Sequence, residues 1–224
     1  MKDKKILIVS VSIICLILII FLVKNNYNFS KKGNNISNKS ADEIKEYILN
    51  IDSYQATAEV TIKSNKNENS YVVEQKYVRN NNIYKQEILE PENIKGIQFI
   101  YDGTTLKVEN TKLKLSKIYE NYNYIESNEL GLASFIEDYI QNDEAKCIEK
   151  NGKVILETSV KKSNKYVANK KLYVNKEKGE IEKLEINDIT QNTRIYILYN
   201  KIEINTLSKE EVLAFSIKPL EQNI

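Results

Sequence analysis

Residues 99–108 read FIYDGTTLKV, two apolar runs joined around an acidic residue and a glycine. Asp-Gly is a preferred pair for a two-residue type I′ hairpin turn, because both of its positions need a positive φ. A two-residue loop at Asp102 and Gly103 places three cross-strand pairs on one face: Tyr101 with Thr104, Phe99 with Leu106, and Ile97 with Val108. The stretch therefore predicts a β-hairpin with Asp102 at its corner.

An alternative interpretation gives Asp102 a chemical role, as a catalytic carboxylate or a metal ligand. A catalytic aspartate works beside a second carboxylate or a base, and the sequence around residue 102 offers neither. We therefore interpret Asp102 as a turn residue.

Alternating apolar and polar residues continue on both sides of this hairpin. Residues 54–64 predict a strand with one buried face, which consists of Tyr54, Ala56, Ala58, Val60 and Ile62. Further strands are predicted over residues 71–79, 83–89, 112–119, 145–149, 153–160, 166–174, 181–189 and 193–204. The sum is about ten consecutive, mostly antiparallel strands.

The first amphipathic helix precedes the strands. Ser40 and Glu43 form a capping box, S-x-x-E, at its start. Its apolar stripe, at helical spacing, consists of Ile44, Tyr47, Ile48 and Ile51. This stripe is expected to pack on the sheet.

A second helix is predicted within residues 127–142, capped by Ser127 or Asn128. Glu137 and Asp138 are expected to face water, and the apolar stripe consists of Leu132, Phe135, Ile136, Tyr139 and Ile140. A capping box that begins at Ser208 indicates a short helical turn near the C-terminus. The predicted fold class is α+β and mainly β, with a single antiparallel curved sheet that wraps two or three helices.

Residues 6–23 form an apolar run with two serines, preceded by Lys2, Lys4 and Lys5. As a helix its eighteen residues span about 27 Å, close to the thickness of a bilayer core. No small-residue cleavage site follows Val23, so we expect an uncleaved signal-anchor over residues 1–23 rather than a cleaved signal peptide. A third alternative, lipidation at Cys15, lacks the small residues that a lipobox places before its cysteine.

The lysines before the anchor are expected to hold the N-terminus in the cytoplasm and to place the rest of the chain outside. Residues 24–39 are polar and rich in Asn, which predicts a flexible tether with a root-mean-square reach of about 20–25 Å. The remaining residues, 40–224, are expected to form one extracytoplasmic domain.

Neither the composition nor the motifs of the sequence indicate a catalytic or ligand-binding site. The formal net charge of +2 and the absence of a basic face argue against nucleic-acid binding. The chain has no His, no phosphate-binding glycine motif and no nucleophile elbow, so we predict no catalytic, cofactor-binding or metal-binding residues. Two distant carboxylates that meet in the fold, as in a glycosidase, stay an open alternative.

Charged pairs in the sequence are interpreted as solvated surface. The acidic pairs Glu43/Glu46, Glu137/Asp138 and Glu210/Glu211 fit helix surfaces. Two lysine pairs, Lys161-Lys162 and Lys170-Lys171, are interpreted as solvated strand edges balanced by Glu177, Glu180 and Glu182.

The order of these parts resembles the LolA/LolB-like lipoprotein-carrier superfamily, and within it the clostridial germination lipoproteins of the GerS group. The resemblance covers residues 40–217 and is strongest in a Pro-x-x-x-x-G section followed by Tyr-Asp-Gly-x-x-Leu: Pro91, Gly96, Tyr101, Asp102, Gly103 and Leu106. These motifs are structural turns and carry no catalytic signature. Proteins of the GerS type are lipidated at a cysteine, and Cys15 departs from that pattern.

The resemblance implies an antiparallel half-barrel with helices on its concave side, and a non-enzymatic protein at the cell or forespore membrane. It also implies a role in which the protein docks and activates a CwlD-like N-acetylmuramoyl-L-alanine amidase of the spore cortex, needed for germination. The alternative function is a carrier that holds a lipid or acyl chain in the concavity. The third hypothesis is an enzyme. The partner-binding residues are not specified at this point, and a homodimer is left open.

Overall fold

The computed structural model describes residues 39–122 and 128–214. The anchor predicted over 1–23 lies outside the described residues, as do the tether up to residue 38 and Ser127. Within the described ranges, no helix is both long and apolar enough to cross a membrane.

Three helices and eleven strands make up the described chain. The helices are α1 (Ala41–Leu49), α2 (Leu132–Ile140) and α3 (Lys209–Ala214), and a short 3₁₀ turn covers Asn80–Asn82. The strands are β1 (Ser53–Lys63), β2 (Glu68–Val78), β3 (Ile83–Glu90), β4 (Ile97–Tyr101), β5 (Leu106–Asn110), β6 (Leu115–Tyr119), β7 (Lys146–Lys150), β8 (Lys153–Ser159), β9 (Asn169–Asn175), β10 (Ile181–Asn187) and β11 (Thr193–Ile204).

All eleven strands belong to one antiparallel sheet, in the order β6-β5-β4-β3-β2-β1-β11-β10-β9-β8-β7. The chain runs outward from β1 to β6, returns by way of α2 to the opposite edge at β7, and runs inward until β11 pairs with β1. This open curved sheet with three helices confirms the predicted fold class.

The hairpin at residues 97–110 is present, but its predicted two-residue loop is wrong. Tyr101 pairs with Leu106 and Phe99 with Val108, so four residues, 102–105, form the loop. The carboxylate of Asp102 causes the longer loop, because its Oδ1 accepts hydrogen bonds from the N–H groups of Thr104 at 3.0 Å and Thr105 at 2.8 Å. The register moves by two residues, and a shift of two leaves the paired strand residues on the predicted face.

The strand predicted over residues 112–119 is shorter than expected. Residues 111–114 form a turn, in which Lys114 has a φ of 53°, and β6 begins only at Leu115. The side chain of Asn110 stabilises this turn, because its Oδ1 accepts a hydrogen bond from the N–H of Leu113 at 3.0 Å. Because of this turn, β5 and β6 form a hairpin, and β6 becomes the edge strand of the sheet.

The capping boxes of α1 and α3 are confirmed. At α1 the N–H of Glu43 donates to the Ser40 hydroxyl at 3.2 Å, and the N–H of Ser40 donates back to the Glu43 carboxylate at 2.8 Å. The hydrogen bond from the Ser40 N–H holds the pKa of the Glu43 carboxyl below its ordinary value. At α3, Ser208 and Glu211 form the same reciprocal pair.

The predicted cap of α2 is wrong. Gly131 occupies the N-cap position with extended backbone, and no side chain caps the helix. Asn128 is buried instead, and its carbonyl accepts a hydrogen bond from the N–H of Gly131 at 3.1 Å. The turn over 128–131 therefore delays the helix until Leu132.

One face of the sheet packs against α1 and α2, and we call it the inner face. On β1 it consists of the predicted residues Tyr54, Ala56, Ala58 and Val60, all at most 1% exposed. Ile44, Ile48 and Ile51 contribute the fully buried side chains from the α1 segment. The core therefore lies between the inner face and these helices.

Candidate partner-binding surface

The α2 helix fills the concave side of the sheet with its own apolar side chains. Leu132, Phe135, Ile136 and Tyr139 are buried, as the predicted stripe requires. Ile140 is 56% exposed, so its place in that stripe is wrong. It lies at the last residue of α2, where the chain leaves the sheet. Beneath α2 the concavity is thus packed by the protein itself.

The interpretation of the 170–171 pair as solvated is wrong for Lys170, whereas Lys171 stays partly exposed. The side chain of Lys170 is fully buried, and its Nζ lies 2.7 Å from a carboxylate oxygen of Asp138 and 2.8 Å from one of Glu129. Lys170 and Leu172 are two residues apart and therefore lie on the same, inner face of β9. The side chain of Lys170 thus points beneath α2 rather than into solvent. Asp138, expected in water, turns inward to compensate this charge.

The same cluster places a serine hydroxyl beside Lys170. The Nζ of Lys170 donates a hydrogen bond to Oγ of Ser134 at 2.8 Å. Ion pairs with Asp138 and Glu129 engage the same Nζ, and Ser134 is itself buried. These contacts fasten α2 to β9.

The other titratable groups beneath the helices are tyrosines. Burial raises the pKa of the phenol of Tyr54 and that of Tyr199. Both phenols therefore stay protonated and cannot act as bases at neutral pH. In residues 39–122 and 128–214, no group of three or more His, Cys, Asp or Glu side chains is placed to hold a metal ion.

Asp102, the first candidate for chemistry, lies in the β4–β5 turn as the structural interpretation predicts. Its Oδ1 accepts three hydrogen bonds, from two backbone N–H groups and the Thr104 hydroxyl. Desolvation would raise the pKa of this carboxyl, but these hydrogen bonds outweigh it and lower the pKa. Among the residues that the structure describes, the polar contacts of the Asp102 side chain thus serve the turn.

A different surface remains for binding, at the edge of the sheet formed by β4, β5 and β6. We call it the apolar wing and define it as Ile97, Phe99, Val108, Leu115, Ile118 and Tyr119. Leu115 is 63% exposed and Ile118 60%. Ile97, Phe99 and Val108 are half-buried on the same side of the sheet as Leu115 and Tyr119. Leu113 and Tyr122, in the adjoining segments, add further exposed apolar area.

The opposite face of the same strands is charged and internally paired. Lys107 and Glu109 form an ion pair at 2.7 Å, and Gln98 donates to the Glu87 carboxylate at 2.8 Å. Lys85 is buried nearby on β3, and this burial lowers the pKa of its ammonium group. Strands β4, β5 and β6 are therefore amphipathic, with an apolar face on one side and a charged face on the other, and Ile118 projects from the charged face.

A short edge strand with exposed apolar side chains can receive an extended segment of a partner, or an apolar patch. The binding residues were not specified from the sequence. A signal was available, since β6 carries apolar residues on both faces, Leu115 and Tyr119 on one and Ile118 on the other. The missing information was that β6 lies at the edge of the sheet, where all five of its residues are exposed.

Comparison with known proteins connects the fold to a family. A family model described as sporulation protein YdcC-like matches residues 4–213. The GerS lipoprotein, solved in complex with the CwlD amidase from Clostridioides difficile, is 30% identical, with 72% of this chain and 92% of GerS covered and a TM-score of 0.48. No curated protein sequence matches the chain.

Two other solved structures share the architecture at low identity. An uncharacterised conserved protein from Thermus thermophilus is 11% identical with a TM-score of 0.50, and the alignment covers 82% of this chain and 96% of that one. A LolA superfamily protein from Nitrosomonas europaea is 16% identical with a TM-score of 0.44, over 80% of this chain and all of that one. The family match and the 30% identity to GerS confirm the resemblance drawn from the sequence.

Proposed function

The chain belongs to the sporulation protein YdcC-like family, and on that premise we propose that it is a non-enzymatic, membrane-tethered protein that docks and activates a spore-cortex peptidoglycan amidase. The observation that carries this proposal is the 30% identity to GerS, a lipoprotein solved in complex with the CwlD amidase. The apolar wing is the surface on which we place the docking.

The proposal needs a surface that gains free energy when it is covered. Leu115 and Ile118 project from opposite faces of β6, so a partner that pairs with this edge would remove both from water. Burial of a leucine or isoleucine side chain contributes about 1.5–3 kcal/mol. Two such side chains near the centre of a contact would act as its main anchors.

Activation would follow from differential affinity. A protein that binds the active, metal-loaded form of an amidase more tightly than the inactive form stabilises the active form by that difference. A tenfold shift needs about 1.4 kcal/mol of preference. This requirement is less than the contribution of one buried anchor residue.

The alternative function, a carrier of lipid or acyl chains, needs a continuous apolar concavity that is open to solvent. The buried side chains of Leu132, Phe135 and Ile136 occupy the concave side under α2. This packing argues against an acyl-chain site beneath α2. The inner face continues across β4, β5 and β6 through Phe99, Val108 and Leu115, so lipid binding there is the outcome against which the docking proposal is tested.

The proposed location is the outer side of the cell or forespore membrane, with residues 1–23 as anchor. A cysteine introduced at Asn35, in a chain that carries Cys147→Ser, should react with a membrane-impermeant thiol reagent in intact sporulating cells. Labelling that occurs only after lysis would place the domain in the cytoplasm and refute this location.

The test of function is amide-bond cleavage on purified peptidoglycan by the organism's CwlD-like amidase, across a zinc titration, with and without an equimolar amount of the full chain in mild detergent. We expect no cleavage by the chain alone, and a shift of the amidase titration to lower zinc concentration when both are present. A chain that does not bind the amidase and leaves the titration unchanged, yet co-purifies with lipid, would replace this proposal with the carrier.

A further inference from the structure

A second recess lies at one end of the sheet, away from the apolar wing. Three connections meet there, because β1, β11, β10 and β9 are neighbours: the β1–β2 turn, the β10–β11 turn and the β8–β9 loop. They enclose an open pocket of about 560 Å³, which we call the turn-end pocket. It is lined by Ile62, Lys63, Ser64, Asn65, Lys66, Asn67, Tyr166, Val167, Arg194 and Ile195.

Four residues form the apolar part of the turn-end pocket: Ile62, Tyr166, Val167 and Ile195. Ile62 and Ile195 are paired across β1 and β11, and both are only partly buried. Tyr166, in the β8–β9 loop, is 52% exposed, and the Nζ of Lys165 lies 4.7 Å from its ring centroid. An exposed aromatic ring beside a cation offers both an apolar face and a charge to a ligand.

The polar part of the pocket carries positive charge. Three of its lining residues are cationic, namely Lys63, Lys66 and Arg194, and none is acidic. The nearby acids are already engaged, because Glu68 lies 3.3 Å from Lys63 and Asp188 lies 2.6 Å from Arg194. The pocket with its neighbour Lys165 thus retains a positive surplus that suits an anionic ligand.

Arg194 also links two of the three chain segments around the pocket. Its Nε donates to the Asp188 carboxylate in the β10–β11 turn, and its Nη1 donates to the Asn65 side chain in the β1–β2 turn at 3.2 Å. Within the β8–β9 loop, the side chain of Asn164 accepts hydrogen bonds from the N–H groups of Tyr166 and Val167. These bonds hold the rim in place before a ligand arrives.

We propose that the turn-end pocket binds an anionic glycan, namely the peptidoglycan on which the partner amidase acts. Peptidoglycan presents N-acetyl methyl groups and sugar faces to apolar surfaces, and its peptides present carboxylates to cations. The ring of Tyr166 stacks on a sugar, the paired Ile62 and Ile195 receive methyl groups, and Lys66 and Lys165 meet the carboxylates. The choice of this glycan rests on the proposed function.

The open shape of the pocket and its positive charge favour a glycan over a lipid. Apolar surface predominates in the lining, where Ile62, Tyr166, Val167 and Ile195 lie beside three cations and no acid. An acyl chain needs an enclosed apolar channel, whereas a sugar can lie on one open apolar face flanked by charged groups. A chain that holds both the glycan and the amidase raises the effective concentration of substrate at the enzyme.

The test is co-sedimentation of the full chain, in mild detergent, with purified amidase-free peptidoglycan sacculi. Tyr166→Ala is expected to weaken sedimentation about tenfold and Lys66→Glu about fivefold. Lys178→Glu is the matched control, because it makes the same charge change in the exposed β9–β10 turn at the opposite end of the sheet. The control should stay within about twofold of the unchanged chain.

Amidase binding by the same variants separates this inference from the proposed function. Tyr166→Ala and Lys66→Glu should bind the amidase normally, which also shows that they are folded. If they bind both the amidase and sacculi like the unchanged chain, the glycan site is overturned while the proposed function stands. If instead the chain ignores sacculi but sediments with phosphatidylglycerol vesicles, and Lys66→Glu abolishes this, the ligand is a lipid and the proposal is wrong. Sacculi binding that depends on the pocket, in a chain without affinity for the amidase, would uphold the site and refute the amidase partnership.

Discussion

The two edges of this sheet are built in opposite ways. At β7 the exposed residues are mainly charged, Lys146, Glu149 and Lys150, and the Sγ of Cys147 lies 3.6 Å from the Ala41 carbonyl at the start of α1. At β6 the only charged residue is Lys117, and Leu115, Ile118 and Tyr119 are all exposed. Charges and a covering helix protect an edge strand from association. An edge left apolar in the same protein is the kind of surface on which we propose that a partner docks.

This difference between the two edges predicts which substitutions change folding and which change binding. The β7 edge is integrated with the core through α1, whereas β6 pairs with β5 at the outer edge of the sheet. Substitutions near the core should therefore change the free energy of unfolding, and substitutions on β6 should change association. The predictions below test this division in order of decreasing effect.

The largest effect is expected at Lys170, which fastens the helix that carries the chain from the β6 edge to the β7 edge. Lys170→Ala would leave the carboxylates of Asp138 and Glu129 without their buried partner. Loss of one partner in a buried ion pair costs about 3–5 kcal/mol. The free energy of unfolding from urea denaturation measures this loss.

Lys171→Ala is the matched control for Lys170→Ala. Lys171 is the next residue, points to the other face of β9, and pairs with Glu157 at 3.0 Å while both remain partly exposed. A surface pair contributes about 0–1 kcal/mol. Equal losses for the two variants would contradict the account of Lys170.

The next prediction compares one hairpin on each side of the sheet. Gly103 and Gly152 both have positive φ, but a Cβ at Gly103 would lie 2.2 Å from the Asn81 carbonyl oxygen, whereas one at Gly152 would meet no atom within 4 Å. Gly103→Ala therefore adds a steric clash to backbone strain and should cost about 2–3 kcal/mol. Gly152→Ala should cost about 1 kcal/mol. Thermal or urea unfolding of both variants gives the comparison, and similar losses would refute the close approach at Gly103.

Acid should destabilise the β7 side of the sheet through Asp188. Hydrogen bonds from the Thr190 hydroxyl, the Asn192 and Thr190 N–H groups and Arg194 outweigh desolvation, so the pKa of its carboxyl lies well below the ordinary value of 3.8. A depressed carboxyl pKa gives stability that is present above the unfolded value and is lost as the pH falls towards the folded value. The free energy of unfolding should therefore fall below about pH 4, and Asp188→Asn should reduce that slope. An unchanged slope in the variant would assign the acid sensitivity to other groups.

The smallest effect is expected for Asp102→Asn on the β6 side. An asparagine side-chain oxygen can accept the same hydrogen bonds from Thr104 and Thr105, so the free energy of unfolding should change by less than about 0.5 kcal/mol. Amidase binding should also be unaffected. A folded Asp102→Asn chain that has lost its function would return Asp102 to the list of candidates for chemistry.

Local signals in the sequence predict much of this fold. The alternation over Tyr54 to Val60 and the capping boxes at Ser40 and Ser208 depend on neighbouring residues, and the structure contains all three. The register of the β4–β5 hairpin was missed because the carboxylate of Asp102 binds two backbone N–H groups and lengthens the loop. Dipeptide preference alone does not contain that information.

The remaining wrong or missing predictions concern residues whose environment depends on the tertiary fold. Lys170 occurs beside a second lysine in an alternating strand, and only the arrival of Asp138 and Glu129 from distant elements makes its burial favourable. The apolar wing could not be located because the exposure of Leu115 and Ile118, which lie on opposite faces of β6, depends on the position of that strand at the edge of the sheet. Sequence pattern identifies the strands, whereas packing decides which of their faces stay open.

The most direct test of the central claim is isothermal titration calorimetry of the amidase with Ile118→Asp on β6 and with Ile148→Asp on β7. Both isoleucines are exposed on edge strands, at 60% and 38%. We predict that Ile118→Asp raises the Kd at least about thirtyfold, as expected for a central anchor, and that Ile148→Asp changes it less than about twofold. Equal effects of the two substitutions, or a larger effect at Ile148, would contradict the assignment of the apolar wing as the amidase-docking surface.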